Sequence, residues 1–128
     1  MNAFISCDPS TGSVIFTRPV WPLEKLHAVC TSLAHARQTW QRLAPTERAA
    51  KLINFSEVLI RERLALASII SLEVGKRTAE CLAEIDKSIA LIRYYAERAP
   101  QLLKTLTVPT YATRSEIAFE PLGLLFAI

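Results

Sequence analysis

The amino-acid sequence predicts an α/β fold in which this chain forms a mainly helical part: a β-hairpin, three long helices and then two strands. Apolar residues recur at three- and four-residue steps between Leu23 and Pro100, which is the spacing of a buried helix face. The last residues, Leu124–Ile128, form an uninterrupted apolar run. Such a run is typical of a strand that is buried on both faces of a parallel sheet covered by helices.

The composition is that of a globular domain, with 51% hydrophobic and 21% charged residues in a chain of 128. The net charge of +3 is small and dispersed, so we expect no nucleic-acid partner. No apolar run is long enough to span a membrane, and the first residues lack the pattern of a secretion signal. Cys7, Cys30 and Cys81 are odd in number and far apart, which favours reduced thiols and a cytoplasmic location.

The first elements are predicted from a turn and from a change of period. Apolar pieces flank the turn residues 8–12, so we expect a small β-hairpin ending near Pro19. From Leu23 an amphipathic stripe runs through Leu26, Cys30, Leu33 and Trp40 and predicts a first helix that ends near Leu43.

The next two helices follow from helix start and stop signals. Pro45 opens a second helix that we expect to continue as far as Gly75, a typical helix stop. Within it, Leu64–Leu72 is apolar nearly all round, which predicts contact with more than one neighbour. The third helix is expected from Thr78 to Pro100, with an apolar stripe formed by Cys81, Ile85, Ile89, Ile92, Tyr95 and Ala96.

Two strands are expected after a loop. Residues Thr113–Glu120 alternate between apolar and polar, as a half-buried edge strand does. Residues 121–123 then turn the chain into the apolar strand Leu124–Ile128. A parallel strand needs a neighbour, and no later segment exists here to pair with it. We therefore expect a truncated domain.

Six short strings, in order, resemble the amino-terminal region of the aldehyde dehydrogenase superfamily. They are Pro9-Ser10-Thr11-Gly12, Trp40 followed by Pro45-Thr46-Glu47-Arg48, Leu72-Glu73-Val74-Gly75-Lys76, Ala83-Glu84-Ile85-Asp86-Lys87-Ser88, Arg93-Tyr94-Tyr95-Ala96-Glu97 and Phe119-Glu120-Pro121-Leu122-Gly123. The fourth and fifth strings look closest to the bacterial NAD(P)-dependent succinate-semialdehyde dehydrogenases.

The resemblance implies that residues 1–128 are the amino-terminal portion of a cofactor-binding domain, with the catalytic domain absent. Residues 113–120 would resemble the strand of the oligomerisation arm, and the parent enzyme would be a homo-oligomer that uses NAD or NADP to oxidise an aldehyde to an acid. The family's catalytic Cys, Glu and oxyanion-hole Asn have no matching position here. We therefore expect no catalytic, cofactor-binding or metal site and no cofactor for this chain, which would be inactive alone and would self-associate.

Some residues could still suggest chemistry. Cys30 and Cys81 lie on predicted apolar stripes, where a thiol behaves as a small hydrophobic group, so neither is expected to be a nucleophile. His27 lies three residues before Cys30, but His35 falls on a different face of the helix, so a zinc site is not expected.

The carboxylates Glu80, Glu84 and Asp86 are expected on a solvated helix face rather than at an acid–base site. The resemblance leaves one alternative, because some family members bind a structural monovalent cation near an acidic residue that would align with Glu84. Gly75-Lys76 lacks the earlier glycine and the following Ser or Thr of a phosphate-binding loop, and is interpreted as a helix stop.

Three functional hypotheses remain open at this point. The first is a truncated aldehyde dehydrogenase. The second is a free-standing helical interaction module derived from the dehydrogenase amino terminus. The third is an authentic subunit whose other half is a second polypeptide.

Overall fold

The computed structural model describes residues 3–127, which form two short antiparallel sheets and four helices. The elements in chain order are β1 Ala3–Cys7, β2 Val14–Pro19, α1 Leu23–Trp40, α2 Pro45–Arg61, α3 Arg63–Val74, α4 Thr78–Leu102, β3 Leu106–Thr107 and β4 Glu116–Ile117. No helix in this part of the chain is long and apolar enough to cross a membrane.

The predicted β-hairpin is confirmed by β1 and β2, which pair antiparallel from Ala3 opposite Pro19. Its turn is held by the Asp8 carboxylate, which accepts hydrogen bonds from the Ser10 N–H at 2.8 Å and the Ser10 hydroxyl at 2.6 Å. The hairpin contacts the end of α3, because the Ser6 hydroxyl lies 3.2 Å from the Glu73 carboxylate as a hydrogen-bond donor. The turn bonds therefore hold the hairpin closed, and Ser6 on β1 joins it to the end of α3.

The second helix was expected to run unbroken to Gly75, but it divides at Glu62 into α2 and α3. Glu62 has φ −89° and ψ 4°, away from α-helical values. The break occurs without a glycine or proline at this position. The division lets α2 and α3 both pack on α4. The start of α2 at Pro45 is as expected, and there the Glu47 carboxylate accepts a hydrogen bond from the Ala44 N–H at 2.7 Å.

The core lies where α2 and α3 meet α4, and its buried cluster is Ala67, Cys81, Ile85 and Ile89. The predicted apolar stripe of α4 is thus largely confirmed, although Tyr95 on the same stripe is exposed. One polar side chain, Ser56, is fully buried beside this core. Its hydroxyl donates a hydrogen bond to the Ile53 carbonyl at 2.7 Å and accepts one from Nε of Arg93 at 3.0 Å. The buried hydroxyl is therefore satisfied both as a donor and as an acceptor.

All-round burial of Leu64–Leu72 is not found within the described residues. Ala67 is buried and Leu66 and Ile70 are half-buried on the side facing α4, while Leu64 and Ile69 are exposed. The described elements cover one side of α3 and leave its other side open.

The two strands expected at the end of the chain are much shorter or absent in the structure. Of Thr113–Glu120, only Glu116–Ile117 forms a strand, which pairs antiparallel with Leu106–Thr107. Residues 124–127 of the expected strand Leu124–Ile128 are not in a strand, and Ile128 lies outside the described residues. A strand requires a hydrogen-bonded neighbour, and no strand among residues 3–127 lies beside residues 124–127.

Candidate functional site

An apolar groove lies between α1 and residues 124–126. It has a volume of about 500 Å³, and α1 supplies one wall through residues at helical spacing. The groove is lined by Trp21, Leu26, Val29, Cys30, Leu33, Leu124, Leu125 and Phe126. We call this feature the α1 groove.

The opposite wall of the α1 groove is positioned by the turn at residues 121–123. Arg37, on the last turns of α1, donates a hydrogen bond of 3.4 Å to the Pro121 carbonyl. Gly123 has φ +110°, a conformation that side-chain-bearing residues rarely adopt, and a β-carbon built there would stand 3.4 Å from the Arg37 guanidinium. Arg37 therefore ties the segment that follows Pro121 to the side of α1.

A second concavity of about 730 Å³ adjoins the α1 groove and shares Trp21, Leu26 and Phe126 with it. Two cations, Arg18 and Lys25, lie at its rim, and the Lys25 ammonium is 4.3 Å from the centre of the Trp21 ring. Neither lining includes a carboxylate or a histidine. The two concavities can therefore bury apolar surface, but they present no acid–base pair.

The three thiols lie in three separate environments. Cys7 is exposed on β1, Cys30 is half-buried in the wall of the α1 groove, and Cys81 is completely buried. The Cys81 sulfur lies 3.8 Å from the Lys76 carbonyl oxygen and packs in the core with Ile85 and Ile89. Burial in the core leaves Cys81 no approach for a substrate, as expected for a structural thiol.

The histidines do not join a metal-ligand set in the described structure. His27 and His35 are both exposed on α1, while Cys30 is half-buried. Among residues 3–127, no group of three or more His, Cys, Asp or Glu side chains could hold a metal ion.

The carboxylates of α4 are engaged by basic side chains rather than gathered at one site. Glu84 pairs with Lys76, Asp86 with Arg63, and Glu80 with Arg77 at 2.6 Å. The hydrogen bond from Arg63 lowers the pKa of the Asp86 carboxyl, and the hydrogen bond to Glu84 raises the pKa of Lys76. These shifts belong to ion pairs on an exposed surface, as predicted for a solvated face.

Gly75 ends α3 in the left-handed conformation, at φ +74° and ψ 17°. A β-carbon built at Gly75 would stand 2.8 Å from Cγ of Pro9 in the hairpin turn, closer than real contacts allow. The glycine is thus required both by its φ angle and by the approach of Pro9. The helix stop follows from the glycine in the sequence, whereas the contact with Pro9 joins positions 66 apart and has no local sequence signal.

The arrangement as a whole matches known proteins. The family model described as the aldehyde dehydrogenase family matches residues 2–128. The NADP(+) succinate-semialdehyde dehydrogenase of Deinococcus radiodurans is 30% identical over 125 residues, which are 98% of this chain and 26% of that protein. The malonate-semialdehyde dehydrogenase of Bacillus subtilis strain 168 is 32% identical over 123 residues, which are 94% of this chain and 25% of that protein.

A solved structure supports the same relationship at the level of the fold. The succinic semialdehyde dehydrogenase from Streptococcus pyogenes, in complex with NADP+, superposes with a TM-score of 0.83 at 24% identity. The match covers 91% of this chain and 26% of that one, so the chain spans about a quarter of the length of the relatives it matches. With a family model that matches nearly every residue, and relatives that agree in sequence and in fold, this chain belongs to the aldehyde dehydrogenase family.

Proposed function

We propose that residues 1–128 are the amino-terminal part of the cofactor-binding domain of an NAD(P)-dependent semialdehyde dehydrogenase. The support is that similar proteins include succinate- and malonate-semialdehyde dehydrogenases, of which this chain matches about a quarter. The complete enzyme would oxidise a short semialdehyde to the corresponding acid. Its residues 113–120 would form the arm strand that pairs with a neighbouring subunit, and its location would be cytoplasmic.

Taken alone, these residues would be a truncated dehydrogenase that neither oxidises an aldehyde nor binds NAD(P)+. The observation that carries this proposal is the placement of the thiols. The family's reaction needs a thiolate that can reach a carbonyl, together with groups that activate it. Cys81 is enclosed in the core, and Cys30 faces a groove whose lining offers no base. Cys7 is exposed on a two-stranded hairpin, and exposure by itself does not activate a thiol.

The test is an assay of the purified chain with succinate or malonate semialdehyde and either NAD+ or NADP+, following formation of the reduced nicotinamide. We expect no rate above buffer, and the full-length Deinococcus radiodurans relative serves as the positive control. Calorimetry should detect no NADP+ binding tighter than about 1 mM, which is roughly 4 kcal/mol. Activity that survives repurification and is lost in Cys81→Ala or Cys7→Ala would overturn the proposal.

The α1 groove favours a second candidate function, a free-standing interaction module that binds a partner protein. Such a module would have to be a stable monomer before it meets its partner, because an unprotected apolar face of this size promotes aggregation. A sharply melting monomer that binds no hydrophobic dye would favour this candidate over the first.

A further inference from the structure

The loop between α3 and α4, residues 75–77, lies against the buried thiol of Cys81. The Lys76 carbonyl oxygen is 3.8 Å from the Cys81 sulfur and accepts a hydrogen bond of 2.7 Å from the Ser71 hydroxyl. The Lys76 ammonium also pairs with Glu84 on α4. Cys81 is 0% exposed in this arrangement. A movement of the loop away from α4 would therefore uncover the thiol from this side. We call residues 75–77 the α3–α4 loop.

The β-hairpin contacts the same loop from outside the helical core. In the hairpin turn, Cγ of Pro9 stands 2.8 Å from the place of a β-carbon on Gly75, the first residue of the loop. On β1, the Ser6 hydroxyl donates a hydrogen bond of 3.2 Å to the Glu73 carboxylate, two residues before the loop begins. The hairpin is therefore seated at the junction where α3 ends and the loop starts.

The position of Pro9 within the hairpin is fixed by the bonds of the turn on both sides of it. The Asp8 carboxylate accepts hydrogen bonds from the N–H and the hydroxyl of Ser10. The Gly12 N–H donates to the Asp8 carbonyl at 2.8 Å. These bonds all lie within the turn, so Pro9 keeps its place in the hairpin whether or not the hairpin contacts the helices.

The hairpin and the helical core differ in how firmly they are held. Within Ala3–Cys7 and Val14–Pro19 no residue is buried, whereas α3 and α4 share the buried cluster described above. A segment with few buried apolar contacts opens locally at a lower free energy than a packed core does. We therefore expect the hairpin to detach while α2, α3 and α4 remain packed.

We propose that the hairpin is a latch on the α3–α4 loop. While the turn is seated against Gly75, the loop stays closed over Cys81. When the hairpin detaches, the loop moves and exposes the thiol, with the helices still packed. Cys81 is thus a reporter of the position of the loop. The latch consists of contacts within residues 6–84 and does not rest on the proposed function.

The test is the rate at which iodoacetamide modifies Cys81 in the 128-residue chain, because that rate measures how often the loop opens. Peptide mass spectrometry separates it from the rates of Cys7 and Cys30 in the same sample. Ser6→Ala should raise the Cys81 rate about five-fold, the change expected for one lost hydrogen bond. Pro9→Ala removes the ring that seats against the loop and should raise the Cys81 rate by at least about the same factor.

Matched substitutions control for effects unrelated to the latch. Ser6→Thr keeps the hydroxyl and should leave the Cys81 rate within about two-fold of wild type. Ser13→Ala and Pro109→Ala make the same chemical changes at exposed positions and should have equally little effect. The rate at Cys30, on α1, should be the same in all of these proteins.

Low concentrations of urea distinguish the latch from general unfolding. Opening of a hairpin and a loop exposes little surface, so the Cys81 rate should depend only weakly on urea well below the unfolding midpoint. The far-ultraviolet dichroism of the helices should be the same in wild type, Ser6→Ala and Pro9→Ala.

Equal Cys81 rates in wild type, Ser6→Ala and Pro9→Ala would overturn the latch. A rise that has the full urea dependence of global unfolding would overturn it too, because the thiol would then be exposed by loss of the whole fold. The same conclusion would follow if Ser13→Ala and Pro109→Ala raised the rate as much as the two latch substitutions do.

Discussion

Gly75 joins three parts of the molecule: the end of α3, the loop into α4 and the turn of the hairpin. Gly75 has φ +74° and Gly12 has nearly the same value, φ +73°, but the surroundings of the two glycines differ. Nothing lies within 4 Å of a β-carbon built at Gly12, whereas Pro9 obstructs one at Gly75. The two positions therefore separate the cost of the backbone conformation from the cost of steric contact.

We predict that Gly75→Ala destabilises the chain more than Gly12→Ala does. Both substitutions incur about 1–2 kcal/mol for a side chain in the left-handed region. Gly75→Ala adds on the order of 1 kcal/mol for the contact with Pro9. Urea unfolding followed by circular dichroism measures both losses. The additional loss should disappear in a Pro9→Ala background, and equal losses at the two glycines would contradict the close approach.

The pair between Arg63 and Asp86 links the start of α3 to α4 and makes a pH-dependent contribution. The hydrogen bond from Arg63 lowers the pKa of Asp86 from its ordinary value of 3.8. A carboxyl whose pKa is lowered on folding stabilises the folded state above its unfolded pKa, and that contribution is lost as the pH falls through the folded pKa.

We predict that wild type is more stable than Asp86→Asn at pH 7 and that the difference shrinks as the pH falls below about 4. The difference should be small, because the pair is exposed to solvent, and it should fall further at high salt. The measurement is the urea midpoint of both proteins across the pH range. A difference that persists unchanged at pH 2 would show that Asp86 acts through something other than its charge.

At the scale of elements, the features set by local sequence were predicted better than those set by helix packing or strand pairing. The hairpin and the starts of the helices at Pro45 and Thr78 follow from turn residues, proline and apolar period. The break at Glu62 carries no sequence signal, because it comes from the packing of α2 and α3 on a common partner. The strands over 113–120 and 124–128 were overestimated, because their patterns describe burial against neighbours that residues 3–127 do not supply.

In the candidate site too, features encoded by local sequence were predicted and features that depend on distant contacts were not. The sequence predicted an apolar face on α1, and it predicted that Cys30 and Cys81 lie among apolar residues. Residues 124–126 lie against α1, and a hydrogen bond from Arg37 to the Pro121 carbonyl holds them there. These contacts join positions more than 80 residues apart in the sequence. No local pattern encodes such a contact.

The final segment provides an element-scale prediction. Deleting residues 122–128 removes Leu122, Leu125 and Phe126, which are exposed, while the packed helices α2, α3 and α4 keep their mutual contacts. Soluble yield should therefore rise, and the far-ultraviolet dichroism of the helices should stay nearly unchanged. Replacing the three residues by serine at full length serves as the control and should give the same gain. Loss of helical signal in the deletion would mean that this segment supports the helices.

At the scale of the whole molecule, the helical core and the exposed surface have opposite consequences. The core of α2, α3 and α4 is packed and its buried hydroxyl is satisfied, so secondary structure should be retained in isolation. The chain exposes 10575 Å² of surface at 14.3 kDa, roughly 3,800 Å² more than a compact monomer of this mass does, and this excess should make the same molecule adhere to others. A net charge of only +3 provides weak repulsion against this association.

The central claim is tested most directly by sedimentation velocity on the isolated 128-residue chain over a range of concentrations. Binding of a hydrophobic dye is measured on the same samples. That claim is that these residues are one part of a dehydrogenase and leave apolar surface uncovered on their own. We predict species larger than the 14.3 kDa monomer, heterogeneous and growing with concentration, with strong dye fluorescence. A single monomeric species that binds no dye and melts sharply would contradict the claim, because it would mean that the α1 groove needs no cover.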